Sequence, residues 1–170
     1  MGIRPPAVQG TLPAEDASET FEAFYARLWP SIARLGIVTA GSADLGEDLA
    51  QEAFLRLRDH YARVEHPGAY LRKVLVNLAK SAATAESRRN ARQLRAMSTE
   101  VHCLADAEDR ELIEALKELS FKQRTALVLR YWGDWTDAAI ADVLDCRAAT
   151  VRSLIRRGLA SLRSNMEDSR

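Results

Sequence analysis

Hydrophobic positions recur along the chain at the three- and four-residue spacing of amphipathic helices, and period-two alternation is nearly absent. Phe21, Phe24, Tyr25, Leu28, Ile32 and Leu35 predict a first helix over about 17–38, which Pro30 should kink or divide because it cannot donate a backbone hydrogen bond. After a loop at Thr39–Ser42, Leu45, Leu49, Ala53, Phe54 and Leu57 predict a second helix over about 42–60. His66-Pro67-Gly68 then interrupts the pattern, and Leu71, Val74, Leu75 and Leu78 predict a third over about 68–85. Three such helices can close into one small bundle. From about Ala85 to Ala107 the periodicity fades into Arg, Ser, Asn, Gln and Glu, the pattern of a linker or an extended helix end. Beyond it, Leu112, Ile113, Leu116 and Leu119 mark one helix, and Ala126, Leu127, Leu129 and Tyr131 mark a second that stops at Gly133. Thr136 can cap a short helix holding Ile140, Val143 and Leu144. Asp145-Cys146 makes a tight turn, and Val151, Leu154, Ile155, Leu159 and Leu162 define the last helix. A short capped helix, a turn and a longer helix have the order of a helix-turn-helix. The fold class is therefore all-α, with two small helical domains, an N-terminal bundle and a C-terminal helix-turn-helix four-helix domain, joined by a flexible linker.

Composition fits two packed cores: of 170 residues, 47% are hydrophobic and 28% charged. No apolar run approaches the roughly 18 residues of a membrane helix, so no membrane insertion and a cytoplasmic location are expected. Cys103 and Cys146 form no CxxC pair, and only His102 lies near them. Reduced structural thiols are expected, with no metal site and no cofactor. Net charge is zero but unevenly spread: residues 11–65 carry 5 basic and 10 acidic side chains, and residues 66–95 carry 7 basic against Glu86 alone. Residues 96–120 return to 2 basic and 7 acidic, and residues 121–170 hold 9 basic and 6 acidic. Two basic blocks between acidic ones suit a protein that touches a polyanion at two places and another partner elsewhere.

The last helix flanks its apolar stripe with Arg147, Arg152, Arg156, Arg157 and Arg163, while Ala148, Ala149, Thr150 and Ser153 keep its front slim. A major groove about 12 Å wide admits one uncrowded helix, and arginine there binds guanine bidentately or grips phosphate. A solvated basic helix face is the plainer alternative. Lys73, Asn77 and Lys80 share one face of the third helix and are followed by Arg88, Arg89, Arg92 and Arg95, which suits phosphate neutralisation or else a basic linker. On the second helix Asp44, Asp48, Gln51, Glu52 and Asp59 share a face with Leu55 among them. Carboxylates repel phosphate, so this face is either solvated surface or a dock for a protein. No histidine, glycine-rich phosphate loop or nucleophile motif accompanies it, so no catalytic residues are assigned and no enzyme is expected.

Four segments together resemble a known family. Asp44-Leu-Gly-Glu-Asp-Leu-Ala-Gln-Glu-Ala-Phe-Leu-Arg-Leu-Arg58, His66-Pro-Gly-Ala-Tyr-Leu-Arg-Lys-Val-Leu-Val-Asn-Leu-Ala79, Leu119-Ser-Phe-Lys-Gln-Arg-Thr-Ala-Leu-Val-Leu-Arg-Tyr-Trp132 and Thr150-Val-Arg-Ser153 are similar to successive signatures of extracytoplasmic-function sigma factors of the sigma-70 family. The resemblance runs from about Phe21 to Leu162. It implies an unstructured tail over 1–16, a region 2 domain over 17–86 that docks on polymerase and reads and melts the minus-ten element, a linker over 87–107, and a region 4 domain over 108–165 that reads the minus-thirty-five element. It further implies that Asp48, Gln51 and Glu52, with Leu55, bind RNA polymerase. Lys73, Asn77, Lys80, Arg88 and Arg89 would serve the minus-ten element, where a base is flipped from the stack. Arg147, Thr150, Arg152, Ser153, Arg156 and Arg157 would serve the minus-thirty-five element. The implied partners are core RNA polymerase and promoter DNA, with an anti-sigma factor as an optional third.

Four positions depart from the family pattern: Ser81 stands where aspartate is frequent, Ala139 where glutamate is, and Asp145 and Ala149 where glycines are. At Asp145 the turn has to tolerate a less comfortable backbone. A linker of about 20 residues spans at most about 70 Å, close to the distance between DNA elements two helical turns apart. The rival readings are a homodimeric helix-turn-helix regulator, whose first domain would dimerise or bind a ligand, and a helical adaptor with incidental basic segments.

Overall fold

A computed structural model describes residues 19–90 and 107–168, with side chains described except at 88–90, 107–111 and 166–168. The tail expected over 1–16, most of the expected linker, and Cys103 lie outside the described residues. Among the described residues the secondary structure is entirely helical: α1 Phe21–Ala40, α2 Ala43–Arg58, a 3-10 turn Tyr61–Arg63, α3 Pro67–Asn90, α4 Ala107–Lys117, α5 Phe121–Tyr131, α6 Asp137–Leu144 and α7 Ala148–Asp168.

Local chemistry sets most of these boundaries. Thr20 caps α1 by accepting from the Ala23 amide at 3.3 Å. Pro30 sits inside α1 without dividing it, so of the kink or division expected there, division does not occur. One lost backbone bond is outweighed by the burial of Phe24, Leu28, Ile32 and Leu35 along the same helix. Gly41 ends α1 at φ 76°, a left-handed cap whose amide donates to the Ile37 carbonyl at 2.8 Å. Ser42 immediately caps α2. At α5, Ser120 and Gln123 form a reciprocal capping box. Thr136 caps α6, as its position after Gly133 predicts. Helix α3 extends to Asn90, past the expected end near 85, so 87–90 takes the second of the two forms expected there, an extended helix end.

Helices α1, α2 and α3 pack on one another, and α5, α6 and α7 do likewise with α4 against α7. The crossing of α1 and α2 is made backbone to backbone: a Cβ on Gly36 would lie 2.3 Å from the Gly46 carbonyl oxygen, and one on Gly46 2.3 Å from the Ile37 nitrogen. Phe24, Phe54, Leu57, Leu71 and Leu75 fill the first core; Trp135, Leu129, Ile140, Leu144 and Val151 fill the second. The two halves touch through α1 with α5 and through α3 with α6, and their buried residues form one connected cluster.

Candidate nucleic-acid and partner interfaces

Helix α2 turns its apolar side, Ala50, Ala53, Phe54 and Leu57, to the core. Helical period then sends the opposite face outward. Asp44, Asp48 and Gln51 are exposed, Glu52 is half-buried, and Leu55 is 49% exposed among them. Arg56 donates to Glu52 at 2.7 Å, so part of the charge is answered within the helix and Asp44 and Asp48 carry the outward field. The acidic face with its isolated leucine, expected from spacing, is present as one surface. Behind it, Phe54 packs against Tyr25 at 4.7 Å between ring centroids, and Tyr25 stacks on Trp29. This aromatic layer fixes the register of α2 on α1.

On α3 the expected minus-ten residues separate. Asn77 is exposed, and its carbonyl accepts from the Ser81 hydroxyl at 3.0 Å. Lys73 and Lys80 instead turn toward α6, where Lys73 Nζ lies 3.1 Å from Asp142 Oδ2 and Lys80 Nζ donates to the Val143 carbonyl at 3.3 Å. Arg88 and Arg89 belong to the last turn of α3, and their side chains lie outside the described set.

The helix-turn-helix consists of α6, a turn at Asp145–Arg147, and α7. Asp145 adopts φ 51° and ψ 60°, the left-handed region, so the less comfortable backbone expected at this turn is present. The Cys146 amide donates to the Ala141 carbonyl at 3.0 Å and closes the turn. Cys146 is a free, half-buried thiol. On α7, Val151 and Leu154 are buried, while Arg147, Thr150, Arg152, Arg156 and Arg157 are exposed and Ser153 is half-buried. Arg152 reaches back to Asp137 Oδ2 at 3.4 Å, and Asp137 Oδ1 also lies 3.6 Å from Arg130. Arg157 takes the other side, donating from Nε to the Ser153 carbonyl at 3.3 Å. Arg130, Arg152, Arg156 and Arg163 rim a groove of about 440 Å³ between α5 and α7, with Tyr131, Ile155 and Leu159 on its walls.

Sequence reasoning missed two residues. Asp137 ties two arginines together, and nothing separates it in sequence from an ordinary acidic first-turn residue. Arg124 is buried on α5, and its Nη1 lies within 2.7 Å of where a Cβ on Gly41 would be. Burial pushes its guanidinium below the usual value, and Glu86 acts in the opposite sense.

Among the described residues, seven α-helices that include a helix-turn-helix define an all-helical fold of the helix-turn-helix class. The family described as "Sigma-70, region 4" matches residues 109–162. The chain is 33% identical over 132 residues to an RNA polymerase sigma-E factor of Streptomyces antibioticus, covering 71% of this chain and 70% of that protein. It is 32% identical over 131 residues to the protein of the same name in Streptomyces coelicolor, covering 71% of each. Among solved structures, the sigma factor RpoE in complex with the anti-sigma factor NepR from Bartonella quintana shares the fold, with a TM-score of 0.65 at 18% identity over 88% of this chain and 98% of that one. The chain belongs to the extracytoplasmic-function sigma factors of the sigma-70 family. Membership favours that reading over the homodimeric regulator.

Proposed function

We propose that the chain binds core RNA polymerase and directs promoter recognition and DNA opening in the cytoplasm, without catalytic chemistry of its own. The observation that carries this reading is the pairing, in one chain, of an outward carboxylate face on α2 with an outward arginine face on α7 of a helix-turn-helix. One face suits a protein and repels phosphate; the other suits the major groove. Residues 17–86 are assigned to polymerase docking and the minus-ten element, and 108–165 to the minus-thirty-five element. The solved relative is a sigma factor held by an anti-sigma factor, which supports a protein antagonist as a third partner here. Among the described residues no helix is long and apolar enough to cross a membrane. Run-off transcription with core enzyme on genomic fragments tests the whole reading: specific transcripts are expected only when the chain is added, and none at any fragment would overturn it.

Three assignments follow. Asp48, Gln51, Glu52 and Leu55 form the polymerase anchor, so reversing charge at Asp48 and Glu52 should weaken core binding by more than about 2 kcal/mol with helicity intact; unchanged affinity for core would sink the assignment. Asn77, with Lys73, Lys80, Arg88 and Arg89, serves opening. Asn77→Ala should spare core binding, reduce open complexes, and recover partly on a pre-melted promoter; an equal defect on both templates would point to another step. On α7, Arg152 reads a base and Arg157 holds phosphate, while Arg147, Thr150, Ser153 and Arg156 complete the inserted face. Arg152→Ala should cost about 1–3 kcal/mol at one base position, whereas Arg157→Ala should weaken all sequences alike and lower the salt slope by about one. Holoenzyme binding to a set of minus-thirty-five variants separates the two roles.

A further inference from the structure

Between the C-terminal end of α1, the start of α2, helix α3 and helix α5 lies a cavity of about 320 Å³. Its walls come from Ala40, Leu45, Ala79, Ala82 and Ala83, mostly single methyl groups that leave an apolar space larger side chains would have filled. Glu86 and Ser87 are exposed and mark its open side. The volume falls at the low end of the range for ligand pockets, about 300–1,000 Å³. None of these residues belongs to the faces assigned above to polymerase or to DNA.

The remaining lining residue is Arg124, which is 8% exposed. A guanidinium carries five N–H donors and keeps its proton, so burying it is costly unless those donors meet acceptors. Among the described residues it makes one hydrogen bond, from Nη1 to the Lys117 carbonyl at 3.4 Å, and its Nε is buried with no partner. Gly41 leaves the space that the guanidinium occupies, since a Cβ there would lie 2.7 Å from Nη1. Glu86 acts on Arg124 through its field, and the two form no ion pair among the described residues. A fork of unsatisfied donors beside an apolar cavity has the chemistry of a carboxylate site, because two carboxylate oxygens accept from a guanidinium in parallel. Glu86 at the open side and the negative end of the α1 dipole beside Arg124 admit one negative charge and oppose two. The alanine walls call for a short apolar body behind that charge.

We propose that this cavity binds a small monoanionic carboxylate with a short aliphatic body, its oxygens on Arg124 and its body against Ala79, Ala82 and Ala83. Titration calorimetry and ligand-observed NMR on the full chain test it, with isovalerate as the probe. Isovalerate should bind with a Kd of about 2 mM or tighter, and at about ten times that Kd it should raise the thermal midpoint by about 3–6 °C. Isobutylamine, which carries the same body on a cation, should not bind, and inorganic phosphate should bind more weakly than isovalerate. Ala83→Leu fills the cavity while leaving Arg124 in place, and should weaken isovalerate by at least about fivefold. Arg124→Met keeps the length of the side chain without its charge and should do the same; if that variant fails to fold, Ala83→Leu decides. Arg156→Ala, in the arginine-rimmed groove between α5 and α7, should bind isovalerate as wild type does. A weaker Kd for isovalerate in the wild-type chain would overturn the proposal, as would binding of isobutylamine or phosphate as tight as that of isovalerate. Wild-type affinity in Ala83→Leu, or lost affinity in Arg156→Ala, would overturn it by placing the carboxylate elsewhere.

Discussion

Asp145 shows how a single residue carries both a sequence signal and a structural cost. The chain holds an aspartate at φ 51°, a conformation that favours glycine, because the Cys146 amide must reach the Ala141 carbonyl to finish α6. Asp145→Gly should therefore stabilise the protein by about 0.5–1 kcal/mol, read as a rise in the thermal midpoint, with α7 still correctly presented to DNA. A lowered midpoint would mean that the aspartate side chain more than offsets its backbone strain. The departure was legible because the turn sits between two clear helix patterns. Asp137 was not legible, since its role depends on Arg130 from α5 and Arg152 from α7 converging on one carboxylate, and no local pattern records that. Removing that carboxylate by Asp137→Ala should strengthen holoenzyme binding to all minus-thirty-five variants while narrowing the differences between them. Local negative charge is lost and Arg152 is no longer held. Filter or anisotropy binding across the variants checks both halves of that expectation.

At the scale of helices, hydrophobic spacing located every element that buries one face, and it failed where burial was not the organising force. Helix α3 outruns its apolar stripe because Ala82, Ala83, Ala85, Glu86 and Arg88 favour helix without needing a core, so fading periodicity marks the end of burial and not the end of the helix. Pro30 leaves open in sequence whether α1 kinks or divides, and burial on both sides of it keeps the helix undivided. The Gly36–Gly46 contact was invisible, since glycine inside a helical pattern reads only as a weak helix former. That contact brings α2 against α1 and so sets the depth at which the carboxylate face stands. Gly46→Ala must push two helix backbones apart, and a loss of about 3 kcal/mol or more is expected in denaturant unfolding, with core binding falling alongside. An alanine variant of wild-type stability would show that the crossing can open at little cost.

For the whole molecule, two bundles were legible but their closure was not: Lys73 and Asp142 are 69 residues apart, and an exposed ion pair leaves no periodic trace. Because the buried residues of both halves form one connected cluster, calorimetry of the wild-type chain should show one cooperative transition. Trp132→Ala, which removes the ring that the Arg34 guanidinium covers at 4.8 Å across the two halves, should split or broaden it. The same long separation has a consequence for biosynthesis. A ribosome adding roughly 5–20 residues per second needs seconds to travel from Lys80 to Val143. Helical bundles rich in local contacts fold in microseconds to milliseconds. The first bundle must therefore complete its core unaided, and every nascent chain passes through an interval in which the basic face of α3 exists and its α6 partner has yet to be made.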